Sequence, residues 1–199
     1  MNRPALATGA VGLAVAGLLL TRTRSAKVRN DRTRDTLREA RNDAAHWWNV
    51  AHHDDLTGLR NRRSLYTDWD SYGPNMFVAI LDIDGFKAVN DDYGHAVGDH
   101  LLLAIAERLN SDACPGRAYR LGGDEFALIL DDADHALWLP VELSAPIRLS
   151  DWDGAGIDYH PSISIGIAPW QPNRSAAMAD ADELMYADKA LKAITSEAL

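Results

Sequence analysis

The chain predicts an α+β fold, an antiparallel-rich sheet with helices packed on one face. Three observations carry that expectation. Met76-Phe77-Val78-Ala79-Ile80-Leu81 is a continuous apolar run of strand length, the pattern of a central strand buried on both faces. Ala118-Tyr119 and Phe126-Ala127-Leu128-Ile129-Leu130 flank the pair Gly122-Gly123, which reads as a β-hairpin because glycine supplies the positive φ of a tight turn. Leu102, Ile105, Ala106 and Leu109 lie at helical spacing within Val97–Asn110, as do Leu184, Ala187, Leu191 and Ile194 within Ser175–Ala198.

Length and composition bound the rest. At 199 residues, 47% hydrophobic and 25% charged, the chain holds one ordinary domain plus an appendage. Its net charge of −9 is uneven. Residues 1–53 carry nine Lys/Arg against four Asp/Glu, 9 − 4 = +5, and residues 54–199 carry eleven against twenty-five, 11 − 25 = −14. An acidic domain is a poor binder of nucleic-acid backbone, so no nucleic-acid partner is expected. Polyphosphate would need metal ions as mediators. Cys114 is the single cysteine, which excludes disulfide scaffolds and cysteine-rich zinc sites.

In chain order, Ala5 to Leu20 is uncharged, and Arg22, Arg24, Lys27, Arg29, Arg32 and Arg34 follow it. This predicts a transmembrane anchor over residues 1–22 with the membrane met through residues 4–21. The basic side places the remainder in the cytoplasm, a single-pass protein of the inner or plasma membrane. Residues 23–53 read as a helical stalk or linker. Leu37, Ala40, Ala44, Trp47 and Ala51 alternate at three and four, which leaves a solvated spacer and a dimerising stalk both open. His46, His52 and His53 read as surface residues.

Residues 54–199 form the globular part. Asn61 is placed to cap a helix through Leu65 and Trp69. The apolar strand ends in Asp82-Ile83-Asp84, and alternation puts both aspartates on one face. The hairpin tip adds Asp124 and Glu125. Adjacent carboxylates repel, and Mg²⁺ is a natural partner because it takes carboxylate oxygens together with substrate phosphates. Gly85 permits close backbone approach to a ligand and Lys87 offers a charge for a phosphate. Asp99 falls in the first turn of the Val97–Asn110 helix. Pro140 interrupts a candidate helix over Asp132–Ser144, Ser150–Asp158 reads as a loop, and Ser162–Ala168 alternates as a strand in which Gly166 allows a bulge or a close approach.

These residues resemble a family. Gly122-Gly123-Asp124-Glu125-Phe126 is the motif that names the GGDEF diguanylate cyclase domain, and Asp55-Leu56-Thr57-Gly58-Leu59-Arg60-Asn61-Arg62-Arg63 is similar to its opening motif. Leu81 to Asp91 and Gly94 to Asp99 resemble its nucleotide-binding block, and Ser164–Ala168 with Ala181–Lys189 its closing strand and helix. The resemblance implies a nucleotidyl-cyclase fold akin to the palm of polymerases. It implies condensation of two GTP into cyclic di-GMP and two pyrophosphates by a homodimer, which turnover requires. Mg²⁺, with Mn²⁺ as the alternative ion, would be held by Asp82, the carbonyl of Ile83 and Asp124, with Glu125 beside them as a catalytic carboxylate. Gly85, Phe86, Lys87 and Lys189 would hold the triphosphate, and Asn90 and Asp99 would read guanine. A GTP-binding regulatory module without turnover is the alternative function. Three departures stand out. The family's inhibitory Arg-x-x-Asp falls on Ala113-Cys114-Pro115-Gly116, so no feedback through that site is expected. The segment Asp131–Ile157 looks short and proline-broken. The position of a family arginine is Ala193, beside Lys192.

Overall fold

A computed structural model describes residues 7–111, 116–131, 133–150 and 156–197. The chain divides into two units, one ending at Asn49 and one beginning at Val50. The first is the helix α1, which runs Ala7–His52 and so continues into the start of the second. Its Leu37, Trp47 and Trp48 are exposed.

The membrane anchor is corrected here. Among the described residues no helix is long and apolar enough to cross a membrane, and the single-pass inner-membrane placement falls with it. The physical reason is in the run itself. Ala7–Leu20 contains four alanines, three glycines and a threonine, all weakly apolar, and Arg22 and Arg24 close it. The uncharged run from Ala5 to Leu20 spans about 24 Å as a helix, short of the roughly 30 Å of a bilayer core. Residues 4–6 of the expected span lie outside the described residues.

The second unit holds a five-stranded mixed sheet in the order β1-β3-β4-β2-β7, built from β1 (Arg60–Asn61), β2 (Phe77–Ile83), β3 (Arg117–Gly122), β4 (Glu125–Leu130) and β7 (Ile163–Pro169). All pairings are antiparallel except β1 with β3. The apolar strand β2 is central, as its continuous hydrophobic run requires, since both its faces are buried. One face, carrying Ala79, Leu81 and Ile83 with Phe126 and Leu128, packs against α4 (His95–Leu109) and α5 (Ala133–Ser144). The other, carrying Val78, Ile80, Tyr119 and Ile129, packs against α2 (Arg62–Asp68) and α6 (Arg174–Glu197). Helices therefore cover both faces, not one. A two-sided apolar strand cannot be satisfied by a single helical layer.

Three further expectations change. Proline does not break α5: Pro140 sits inside it, while Leu139 and Leu143 are buried in the core. Arg108 of α4 holds its end by donating to the carbonyls of Leu143 (3.0 Å), Ala145 (2.6 Å) and Pro146 (2.7 Å). Ile147–Ser150 and Gly156–Tyr159 pair as the strands β5 and β6, so Ser150 and Gly156–Asp158 of the expected Ser150–Asp158 loop are strand, and residues 151–155 of it lie outside the described residues. The buried stripe of α6 is Ala177, Ala181 and Met185, whereas Leu184, Leu191 and Ile194 are exposed. Gly166 decides this docking. A Cβ there would lie 1.9 Å from the Ala181 carbonyl oxygen and 2.2 Å from the Met185 nitrogen, so the α6 backbone rests directly on β7. The outer edge of β7 is closed by α6 side chains: Ile165 N–H donates to Asp188 (3.0 Å) and Lys192 donates to the Ile163 carbonyl (2.6 Å).

Candidate active site

Strand pairing assembles the carboxylates. Asp82 is the cross-strand partner of Glu125 on one side and of Ser164 on the other, at the end of the sheet where the β3–β4 hairpin turns. Gly122 and Gly123 take φ of 138° and 57°, values that L side chains rarely adopt, and so deliver Asp124 and Glu125 to the tip. A register shift between Arg120 and Gly122 bulges the strand just before the turn. The Ile83 N–H faces the Asp124 carbonyl at 3.4 Å, which ties the end of β2 to the turn.

The electrostatics of the tip call for a cation. Burial pushes the Asp124 carboxyl above its usual range, and the charge of Asp82 adds to that against the opposing pulls of a backbone hydrogen bond, Lys189 and Arg120. Lys189 of α6 supplies a positive group by donating to Asp82. Burial works to lower the Lys189 ammonium, but the bond to Asp82 and the charges of Asp82, Asp84 and Asp124 hold it above its usual value. An ammonium thus stands where carboxylates converge. Among the described residues no group of three His, Cys, Asp or Glu gathers as a ready metal cage. Two carboxylates and a carbonyl suit an ion that completes its shell with phosphate oxygens. Asp84 is occupied elsewhere, accepting from Ser162 (2.6 Å) and Ser164 (2.7 Å).

The nucleotide-binding candidates lie on the elements that follow β2. Gly85, at φ 70°, opens α3 (Phe86–Tyr93), whose first residues Phe86 and Lys87 leave directly from the acidic strand end. Phe86 packs against the core, and Lys87 is exposed. Asn90 is half-buried where α3 meets α4. Helix α4 begins at His95, two residues earlier than expected, so Asp99 is exposed beyond the first turn. Lys189 meets Asp82 itself. Lys192 donates to Asp188 at 2.8 Å and to the Ile163 carbonyl at 2.6 Å, and its ammonium stands 3.9 Å from Asp84. Residues 113–115 of the expected inhibitory stretch lie outside the described residues.

Two arginines form part of the site without having been singled out by the sequence. Arg120 donates to the Gly123 carbonyl through Nε (3.1 Å) and Nη2 (2.8 Å) and to Asp54 through Nη1 (2.8 Å). Asp54 also accepts from the Thr57 N–H (2.9 Å) and hydroxyl (2.7 Å). Burial alone would raise the Asp54 carboxyl, but these bonds from Thr57 and Arg120 hold it below its usual range. Arg62 donates to the Leu121 carbonyl (3.0 Å) and to Glu125 (3.1 Å). Asn61 caps α2 by accepting from Ser64 N–H and donates to the carbonyls of Ala51 and His53. The opening motif is therefore a brace for the hairpin. Its signal was the polar spacing Asp54, Thr57, Arg60, Asn61, Arg62.

Residues 51–193 match the family described as diguanylate cyclase, GGDEF domain. The chain belongs to that family. It is 37% identical over 156 residues to the diguanylate cyclase TpbB of Pseudomonas aeruginosa, which covers 70% of this chain and 35% of that protein. It is 33% identical over 150 residues to the diguanylate cyclase DgcP of Escherichia coli, covering 68% and 44%. The chain thus spans less than half the length of these relatives. Among solved structures, the coiled coil and GGDEF domain of DgcB from Caulobacter crescentus, in complex with c-di-GMP, aligns with a TM-score of 0.64 and 28% identity over 86% of this chain and 94% of that one. Within this GGDEF domain the family motif and the braced hairpin tip are the same residues.

Proposed function

We propose that the chain is a diguanylate cyclase that joins two GTP molecules into cyclic di-GMP with release of two pyrophosphates. The single observation that carries the proposal is the meeting of Asp82, Asp124 and Glu125 at one sheet end, with a cation-seeking charge balance there. In the reaction the 3′-hydroxyl of each GTP attacks the α-phosphorus of the other, one P–O bond forming and the bond to pyrophosphate breaking at each centre. Each domain holds one GTP, so two copies must meet face to face. A divalent ion, Mg²⁺ or Mn²⁺, would be held by Asp82, the Ile83 carbonyl and Asp124, and would neutralise the triphosphate and the charge that develops on it. Glu125, its carboxylate held by Arg62, would assist metal binding or accept the proton of the attacking hydroxyl. Lys189 leaves Asp82 for the phosphates as they arrive. The exposed Lys87 would add a second positive charge, and the exposed Gly85, which opens α3, would leave the backbone amides of Gly85–Phe86 open to phosphate oxygens. Asn90 and Asp99 select the base: a carboxylate accepts from guanine N1–H and N2–H, donors that adenine lacks as a pair.

The test is turnover of GTP by the full chain with Mg²⁺, beside Asp82→Asn, across a range of protein concentrations and with products separated by chromatography. Cyclic di-GMP from the unaltered protein only, rising faster than linearly with concentration, is the expected result. GTP binding without product at concentrations where the chain is dimeric would instead favour a regulatory module.

A further inference from the structure

We propose that Gly98 is a positioning residue for base selection, its missing side chain fixing the Asn90 carboxamide where a guanine meets it; the inference rests on the nucleotide-binding reading above. The Asn90 side chain is half-buried, yet no residue among those described hydrogen-bonds its carboxamide. A short amide without a partner is ordinarily free to choose among rotamers. Here its place is set by shape. Its Oδ1 lies 2.0 Å, and its Cγ 2.9 Å, from the point a Cβ on Gly98 would occupy, so the amide sits in the notch of the missing methyl. The Phe86 ring edge stands 3.3 Å from the same point, closing the notch from the start of α3. Gly98 itself is buried in α4, one residue before Asp99. The notch therefore couples the two base-reading candidates: one rests on the backbone that presents the other.

A glycine inside a helix is a local weakness, since alanine there loses less backbone entropy on folding. The group an added methyl would strike is the far end of a flexible side chain, which can rotate away. Gly98→Ala consequently acts in opposite directions on two observables. It leaves the fold intact or steadies it, and it expels the Asn90 amide from its seat.

The experiment uses the full chain with the α,β-methylene analogue of GTP, which cannot release pyrophosphate, and the matching ATP analogue, followed by titration calorimetry with Mg²⁺. Thermal unfolding is measured on the same samples. For Gly98→Ala the expected result is an equal or higher Tm, guanine-analogue affinity reduced about tenfold, the scale of one lost hydrogen bond, and adenine-analogue affinity unchanged. Asn90→Ala should show the same loss, and the double variant no further loss, because both substitutions remove one contact. Wild-type affinity in Gly98→Ala would overturn the proposal. So would equal loss of both analogues with a lowered Tm, or additive losses in the double variant. A wild-type protein that does not prefer the guanine analogue would instead refute the guanine reading itself, before any variant is compared.

Discussion

Arg120→Ala tests the brace that holds the acidic turn. The guanidinium is 10% exposed and its partner Asp54 is 23% exposed, so both ends of the pair are largely out of water. Deleting the arginine strands the Asp54 carboxylate on its Thr57 bonds alone. A fully buried pair broken from one side costs about 3–5 kcal/mol, and the residual solvent access at Asp54 reduces this to about 2–4 kcal/mol. The released Gly123 carbonyl adds little because that turn is exposed and water replaces the donor. The variant should therefore lose about 3 kcal/mol in urea denaturation. Arg120→Lys, which keeps the charge but not the fork, should lose about half as much while turnover falls at least about tenfold, since the Gly123 carbonyl beside Asp124 is no longer gripped. A double-mutant cycle with Asp54→Asn isolates the pair. The pH dependence has a defined sign. The folded Asp54 carboxyl lies below its ordinary value, so its contribution is present above the unfolded value of about 3.9 and is lost as pH falls through the folded value. That acid limb should flatten in Arg120→Ala. A loss under about 1 kcal/mol, or a coupling with Asp54 near zero, would refute the brace.

Two predictions address the rest of the site and its support. Asp124→Asn should abolish turnover yet raise the Tm of the nucleotide-free protein at pH 7. Burial, with the charge of Asp82 adding to it, sets the folded Asp124 carboxyl above its unfolded value, so the wild type loses stability as pH rises from about 4, and the gap between the two proteins should close toward pH 3; a pH-independent gap would contradict that account. On α6, Leu191→Glu should change stability by no more than about 0.5 kcal/mol because Leu191 is 64% exposed, whereas Met185→Glu buries an unpaired charge and should prevent folding or cost at least about 4 kcal/mol in thermal denaturation.

Much of the domain was legible because its strongest signals are local. The six-residue apolar run could only be a strand covered on both sides, and β2 is that strand. The glycine pair demanded a positive-φ turn, and both glycines supply it. Asn61 announced the start of α2 by chemistry that needs only the next three residues. The convergence of Asp82 with Glu125 followed from the same elements once the hairpin paired with β2. Such inferences succeed because each rests on backbone geometry within a few residues, or on one strand pairing.

What the sequence concealed depends on groups far apart in the chain. Pro140 removes one α5 hydrogen bond, and a local reading stops the helix there. Burial of Leu139 and Leu143 keeps it intact, with Arg108 reaching across from another helix, far from the proline in sequence, to the last carbonyls. Helix α6 shows the same limit in a sharper form. It carries two candidate stripes, and Leu184, Ala187, Leu191 and Ile194 are the more apolar one by composition. The sheet takes the smaller residues instead, because Gly166 lets the helix come down until only Ala177, Ala181 and Met185 fit beneath it. That close seat also brings Lys189 to Asp82 and sets Asp188 and Lys192 against the open edge of β7. A hydrophobic stripe chosen by bulk would have turned Lys189 away from the carboxylates. Packing distance at one glycine thus decides both which face of α6 is core and whether the site has its cation.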